Sequence, residues 1–122
     1  MVQPAVQKES VPLDRRLERF VQRYFDSPLK VEVIRTLAHR PNRFYTLEEL
    51  ATFTEANSAD LERALFSLRQ LGLVATKERQ RGILIGLASF PVVRDMAIKL
   101  LRYTSNAGGR TRISKLVRTK RQ

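Results

Sequence analysis

The chain has no cysteine and a single histidine among its 122 residues. The first absence excludes disulfides and thiolate metal sites, and it fits a reducing compartment. The second leaves no set of imidazoles to complete a metal site of the usual kind. His39 falls near a predicted helix C-terminus, where a polar or cationic side chain is favoured, and no catalytic partner surrounds it. Neither a metal nor a cofactor is expected. Long apolar runs are missing too. The richest stretch, residues 83–93, is interrupted by Gly86, Ser89 and Pro91 and is too short to span a bilayer. The N-terminus, Met1-Val2-Gln3-Pro4, lacks the apolar core of a secretory signal. No internal repeat is visible. The expectation is a soluble, cytoplasmic chain with no membrane partner.

Catalytic signatures are equally scarce. Gly108-Gly109 has no following Lys-Ser/Thr and follows no strand, so it does not build a phosphate loop. No Gly-x-Ser-x-Gly elbow is present. Glu48, Glu49 and Glu55 read as a helix cap and solvated positions more simply than as an acid/base pair. Nothing in the sequence supports an enzyme.

Acidic residues are absent from one end. Residues 105–122 carry six Lys or Arg and no Asp or Glu. They supply more than half of the formal net charge of +11, against +4 from residues 28–104 and +1 from residues 1–27. Such an excess favours a polyanionic partner, nucleic acid more often than an anionic membrane surface.

What is present is a run of helices. Residues 1–11, polar and without a period, read as a disordered N-terminus. A helix is predicted over residues 13–25, with Leu13, Leu17, Phe20, Val21 and Tyr24 on one stripe and Pro12 able to occupy its first turn. Asp26-Ser27-Pro28 interrupts it, and Ser27 caps the next helix with Pro28 at its first position. Leu29, Val33 and Leu37 form that helix's stripe, which ends before Pro41. Arg43-Phe44-Tyr45 reads as a single-rung strand.

Thr46-Leu47-Glu48-Glu49 is a capping box that opens a helix of about two turns, through Phe53. The apolar period breaks at residues 54–57, and Asn57 or Ser58 caps a further helix. Leu61, Leu65, Leu68 and Leu71 are its inward stripe. Gly72 sits where a left-handed residue ends a helix. Strands follow at residues 73–77 and 83–87, with residues 78–82 as a basic turn. Ser89 then reads as a cap, with Pro91 in the first turn of a helix to about Tyr103. Residues 105–109 read as a flexible break before a basic tail, too short to hold a helix alone. The fold class is mainly α with a small β-hairpin. It is a winged helix-turn-helix domain at residues 12–104 with additional helices at both ends, followed by a flexible tail at 105–122.

This order suggests a task. The second helix of such a pair can lie in the major groove of duplex DNA with its N-terminal residues on base edges. Its outward positions are Ser58, Ala59, Asp60, Glu62, Arg63 and Phe66. The hairpin offers Lys77, Arg79, Gln80 and Arg81 to phosphates or the minor groove. Lys30 and Arg69 are further backbone contacts, and Arg110, Arg112 and Lys115 are those of the tail. Asp60 and Glu62 fit less well beside phosphates. They could accept from cytosine or favour the helix dipole, or they could mark a helix that binds protein.

Residues 26–87 resemble the winged-helix transcriptional regulators of the ArsR-like and MarR-like groups. Asp26-Ser27-Pro28-Leu29-Lys30 resembles the opening of their first core helix, and Leu47-Glu48-Glu49-Leu50-Ala51 resembles their second helix. Leu65-x-x-Leu68-x-x-Leu71-Gly72-Leu73-Val74 resembles the end of their recognition helix and the start of the wing. The resemblance implies a symmetric dimer whose terminal helices pair, with Leu17, Phe20, Tyr24, Val93, Met96 and Leu100 at the seam; the alternative is that both stripes simply close the domain's own core. It does not carry metal sensing, because the Cys and His clusters of metal-sensing members are missing. The expected function is sequence-specific binding of double-stranded DNA as a dimeric regulator of transcription, associated with the nucleoid. The alternative is a winged-helix interaction module in a nucleoprotein assembly, with the second helix facing a protein partner and only the basic tail on nucleic acid.

Overall fold

The computed structural model describes residues 13–121, with side-chain surroundings to residue 117. The expectations for residues 1–11 and for Pro12 lie outside the described residues. Helix α1 spans Arg15–Tyr24 and starts later than the apolar stripe suggests, because the Asp14 carboxylate accepts from the amides of Arg16 and Leu17 and makes Asp14 the cap. Helix α2 spans Pro28–His39, with Ser27 accepting from the Lys30 amide and Pro28 in the first turn. Helix α3, Leu47–Thr54, carries both halves of the capping box. The Glu49 amide donates to Thr46 Oγ1 at 3.0 Å and the Thr46 amide donates to Glu49 Oε1 at 2.9 Å.

Helix α4 spans Ser58–Gln70, and its cap is Asn57, whose side-chain oxygen accepts from the Asp60 amide at 2.8 Å. Leu61, Leu65 and Leu68 are buried as the stripe predicts, but Leu71 is not; it is 42% exposed. The helix ends at Gln70, Gly72 turns the chain at φ +81°, and Leu73 takes the buried place. Strands β1, Val74–Arg79, and β2, Gly82–Leu87, pair antiparallel from Val74↔Leu87 to Arg79↔Gly82. The ladder therefore runs further than expected and leaves only Gln80 and Arg81 in the turn. Tyr45 makes the single rung anticipated for it, exchanging two 2.8 Å bonds with Ile85.

Helix α5 spans Pro91–Tyr103. Its N-cap is Phe90, with no side-chain bond, so Ser89 does not cap it; Pro91 at the first position leaves one amide fewer to satisfy. Helix α6 spans Ala107–Arg121. The expected flexible tail is thus helical, with Ile113 and Val117 buried in the core. A helix too short to persist alone is held by tertiary burial of one apolar face.

Helix α2 lies at the centre. It packs on α3, α4 and β2, and also on α5, while α1 packs on α5 and α6. The residues expected at a seam between copies are already in contact with this core. Leu17, Phe20, Met96 and Leu100 are buried within the chain itself, and Tyr24 and Val93 are half-buried against the same core. A small domain buries a limited share of its surface and spends its apolar faces on its own interior first.

The capping box carries a pH dependence. The Thr46 amide, and after it the Arg43 guanidinium, hold the Glu49 carboxyl below the ordinary carboxylate value. A depressed folded-state value means stability that is present above the unfolded-state value and lost as pH falls through the folded one. Glu49→Gln should therefore show a flatter acid limb. Between about pH 6 and pH 3, its melting temperature should fall less than that of the wild type, read by circular dichroism.

Candidate nucleic-acid interface

The capped start of α4 points Ser58, Ala59, Asp60, Glu62 and Arg63 to solvent. Their arrangement is partly self-satisfied. The Asp60 carboxylate accepts from the Asn57 side-chain amide at 2.9 Å and from the Arg63 guanidinium one turn on. Arg63 is 73% exposed at its side chain, so the pair is a solvated one that another anion can displace. A guanidinium at this place can grip guanine O6 and N7 together once freed.

The hairpin tip exposes Arg79, Gln80 and Arg81. Lys77 stands back from the tip, paired with Leu84 in the ladder, and its ammonium lies 4.2 Å from the centre of the Phe44 ring. That ring sits over Gly86, where a Cβ would come within 2.9 Å of it, so the strand needs glycine for the contact. Between α4 and the hairpin runs a groove of about 510 Å³, floored by Leu65, Ile83 and Leu84 and edged by Arg69, Arg79 and Arg81. Phe66 lines it at 64% exposure. Helix and wing are therefore brought together on one face, with an apolar strip between them.

Other predicted contacts lie elsewhere. Lys30 is buried; its ammonium donates to Ser67 Oγ at 2.8 Å and pairs with Asp26 at 2.8 Å, tying α2 to α4. It is not free to meet a phosphate, because the hydroxyl and carboxylate that hold it replace water. Arg110, Arg112 and Lys115 are exposed on α6, which packs on α1. The Arg110 Nε–H donates to the Thr104 carbonyl at 3.1 Å.

One feature was missed by reading single motifs. Residues 43–87, which hold the helix-turn-helix and the wing, carry six Lys or Arg and six Asp or Glu. The whole net charge lies outside them. Four of its cations, Arg15, Arg16, Arg19 and Arg23, are exposed on α1. Counting charge over the motif instead of up to residue 104 would have found this. Among the described residues, no group of acidic, His or Cys side chains could hold a metal, and no helix is long and apolar enough to cross a membrane.

No family model and no curated protein matches the chain. Solved structures do. The YusO protein from Bacillus subtilis superposes with a TM-score of 0.55 at 16% identity, over 93% of this chain and 74% of that one. MepR, described as a transcription regulator of the Staphylococcus aureus multidrug efflux pump MepA, gives 0.53 at 14% identity, over 86% and 70%. A mutant of ZitR from Lactococcus lactis gives 0.51 at 15% identity over 73% of this chain, which spans only 57% of ZitR. The shared feature is the fold, a winged helix-turn-helix flanked by further helices.

Proposed function

We propose that the protein binds duplex DNA as a regulator of transcription, with the first turns of α4 in the major groove and the wing arginines on the flanking backbone. The observation that carries this reading is the exposed, capped start of α4 beside the Arg79-Gln80-Arg81 tip on one face. Arg63 is the base reader, and Asp60 restrains it until DNA arrives. A dimer would present two such helices to the halves of a palindromic site. Four of the six residues expected at its seam are spent in the core, so the reading does not depend on that seam.

A second reading has its own observation. The apolar groove with Phe66 and Ile83 exposed, in a segment without net charge, suits a protein partner as well as a base stack. Selection of bound sequences from a random duplex pool tests both. A defined motif is expected, as two half-sites about one helical turn apart if the protein is a dimer. On that motif Arg63→Ala should cost about 1–3 kcal/mol and little on a scrambled duplex. Asp60→Asn should raise affinity for both, since it frees Arg63 and removes a charge that repels phosphates. An unenriched pool, with both variants binding like the wild type, would reject the reading and leave the protein-binding one.

A further inference from the structure

The chain's net positive charge is carried outside the segment that holds the proposed reading face. Residues 88–122 carry nine Lys or Arg and one Asp, all outside the helix-turn-helix and wing. Their helices do not trail from the domain. α6 packs on α1 and α1 on α5, while the recognition helix α4 packs on α2, α3 and β1. The described cations of this side are therefore fixed in place. Arg15, Arg16, Arg19 and Arg23 all lie on α1, and among the described residues none of them is in an ion pair. Arg16, Arg19 and Arg23 follow one another at spacings of three and four, a single row along the helix. Most carboxylates nearby are already engaged. Asp14 and Asp95 both pair with Lys99, Asp26 after α1 pairs with Lys30, Glu32 beside Arg110 pairs with Arg35, and Glu18 is the one within α1.

From this we infer that the α1/α6 side is a second site for duplex DNA, separate from the α4/wing face, so that one chain can hold two duplex segments and bridge them. The bridging rests on the reading of α4 and the wing given above; the second site does not. Its occupant follows from chemistry. The cations of α1 are all arginine, whose planar fork suits phosphate oxygens. A membrane surface would need apolar side chains to insert. Here α1 and α6 turn Leu17, Phe20, Val21, Ile113 and Val117 inward, and in the groove that Arg16, Arg19 and Arg23 line with α5 the exposed apolar side chain is Val92, too small a surface to insert. A rigid row of guanidiniums with its aliphatic face buried matches a phosphate backbone better than a lipid surface.

The test uses the full chain and two substitution sets at exposed positions. The first is Arg16→Ala, Arg19→Ala and Arg112→Ala together; the second is Arg63→Ala, Arg79→Ala and Arg81→Ala. On a random duplex the first set should lower the slope of log affinity against log salt by up to about 3, since each phosphate contact contributes about 0.9. Wild-type protein on a bead-bound selected duplex should capture a second, labelled duplex. The first set should still hold the bead-bound duplex but capture at least ten-fold less of the second. Both sets should melt near the wild-type temperature. An unchanged salt slope with unchanged capture would overturn the second site. Loss of the bead-bound selected duplex in the first set would mean one shared site, and would overturn bridging. Wild-type binding to phosphatidylserine vesicles in preference to duplex would overturn DNA as the occupant. If the pool selects no motif yet the random-duplex slope still falls, the α4 reading fails and the second site stands.

Discussion

Leu100→Asp should leave the chain largely unfolded at room temperature. Leu100 lies on α5 with no exposed surface, inside the cluster that α1, α2 and α5 share. Removing a buried leucine forfeits about 1.5–3 kcal/mol of transfer free energy. The carboxylate put in its place lies in an apolar cluster, and the buried cation one turn along, Arg35, is already held by Thr104 and Glu32; a buried charge without a partner of its own costs several kcal/mol more, or is neutralised at a similar cost. Together these approach or exceed about 5 kcal/mol, the lower end of the whole stability of a small domain. Circular dichroism should show most of the helical signal gone, and urea titration no cooperative transition. A variant that keeps its helices and its unfolding midpoint would show that Leu100 is outside the chain's own core, which would return it to a seam between two copies.

The contrast with the sequence expectation is instructive because an amphipathic stripe states that a face is buried, not what buries it. Leu17 and Leu100 have the same spacing whether they meet a second copy or the chain's own helices. Their partner is decided by how much of the central helix remains uncovered, and that is a property of the assembled layers. Signals that depend on neighbours in sequence were readable. The Thr46–Glu49 box, Ser27 before Pro28 and the left-handed Gly72 were each legible, and the α4 cap was legible to within Asn57 or Ser58, because every one is a bond or a dihedral within a few residues. Ser89 misled for a local reason: a serine near Pro91 has the composition of a cap, but the helix starts at the proline and makes Phe90 the cap. Of the candidate site, the exposure of Ser58 to Arg63 and of the wing tip followed from the periodicity. The Asp60–Arg63 pair was open to the same reasoning, being three residues apart on one helix. The capture of Lys30 by Ser67 was not, since 37 residues separate them.

The two glycines in the first turn of the last helix give the sharpest reading of this kind, and Gly109→Ala should destabilise the protein by at least about 3 kcal/mol. Read from sequence, Gly108-Gly109 is a hinge. A glycine kept only for freedom gains about 0.4–1 kcal/mol when replaced by alanine, because the unfolded chain loses options. The structure gives the opposite sign. Gly109 lies inside the first turn of α6, with its amide donating to the Asn106 side chain at 2.8 Å. A Cβ there would stand 1.8 Å from the Tyr103 carbonyl oxygen and 2.8 Å from its carbon. That carbonyl belongs to the last residue of α5 and cannot swing aside without unwinding the turn. The alternative is for α6 to lift away, and then Ile113 and Val117, both buried, lose their places. Each is worth about 1.5–3 kcal/mol, which sets the lower bound. The exposed Gly108 is the internal control. Gly108→Ala should be neutral or stabilising by up to about 1 kcal/mol, since alanine is the better helix former. Thermal melts of the two variants side by side would decide it. A Gly109→Ala protein that melts at or above the wild-type temperature would make the segment a hinge after all. It would also free α6 from α1, and with it the fixed arginine surface on which a second duplex depends.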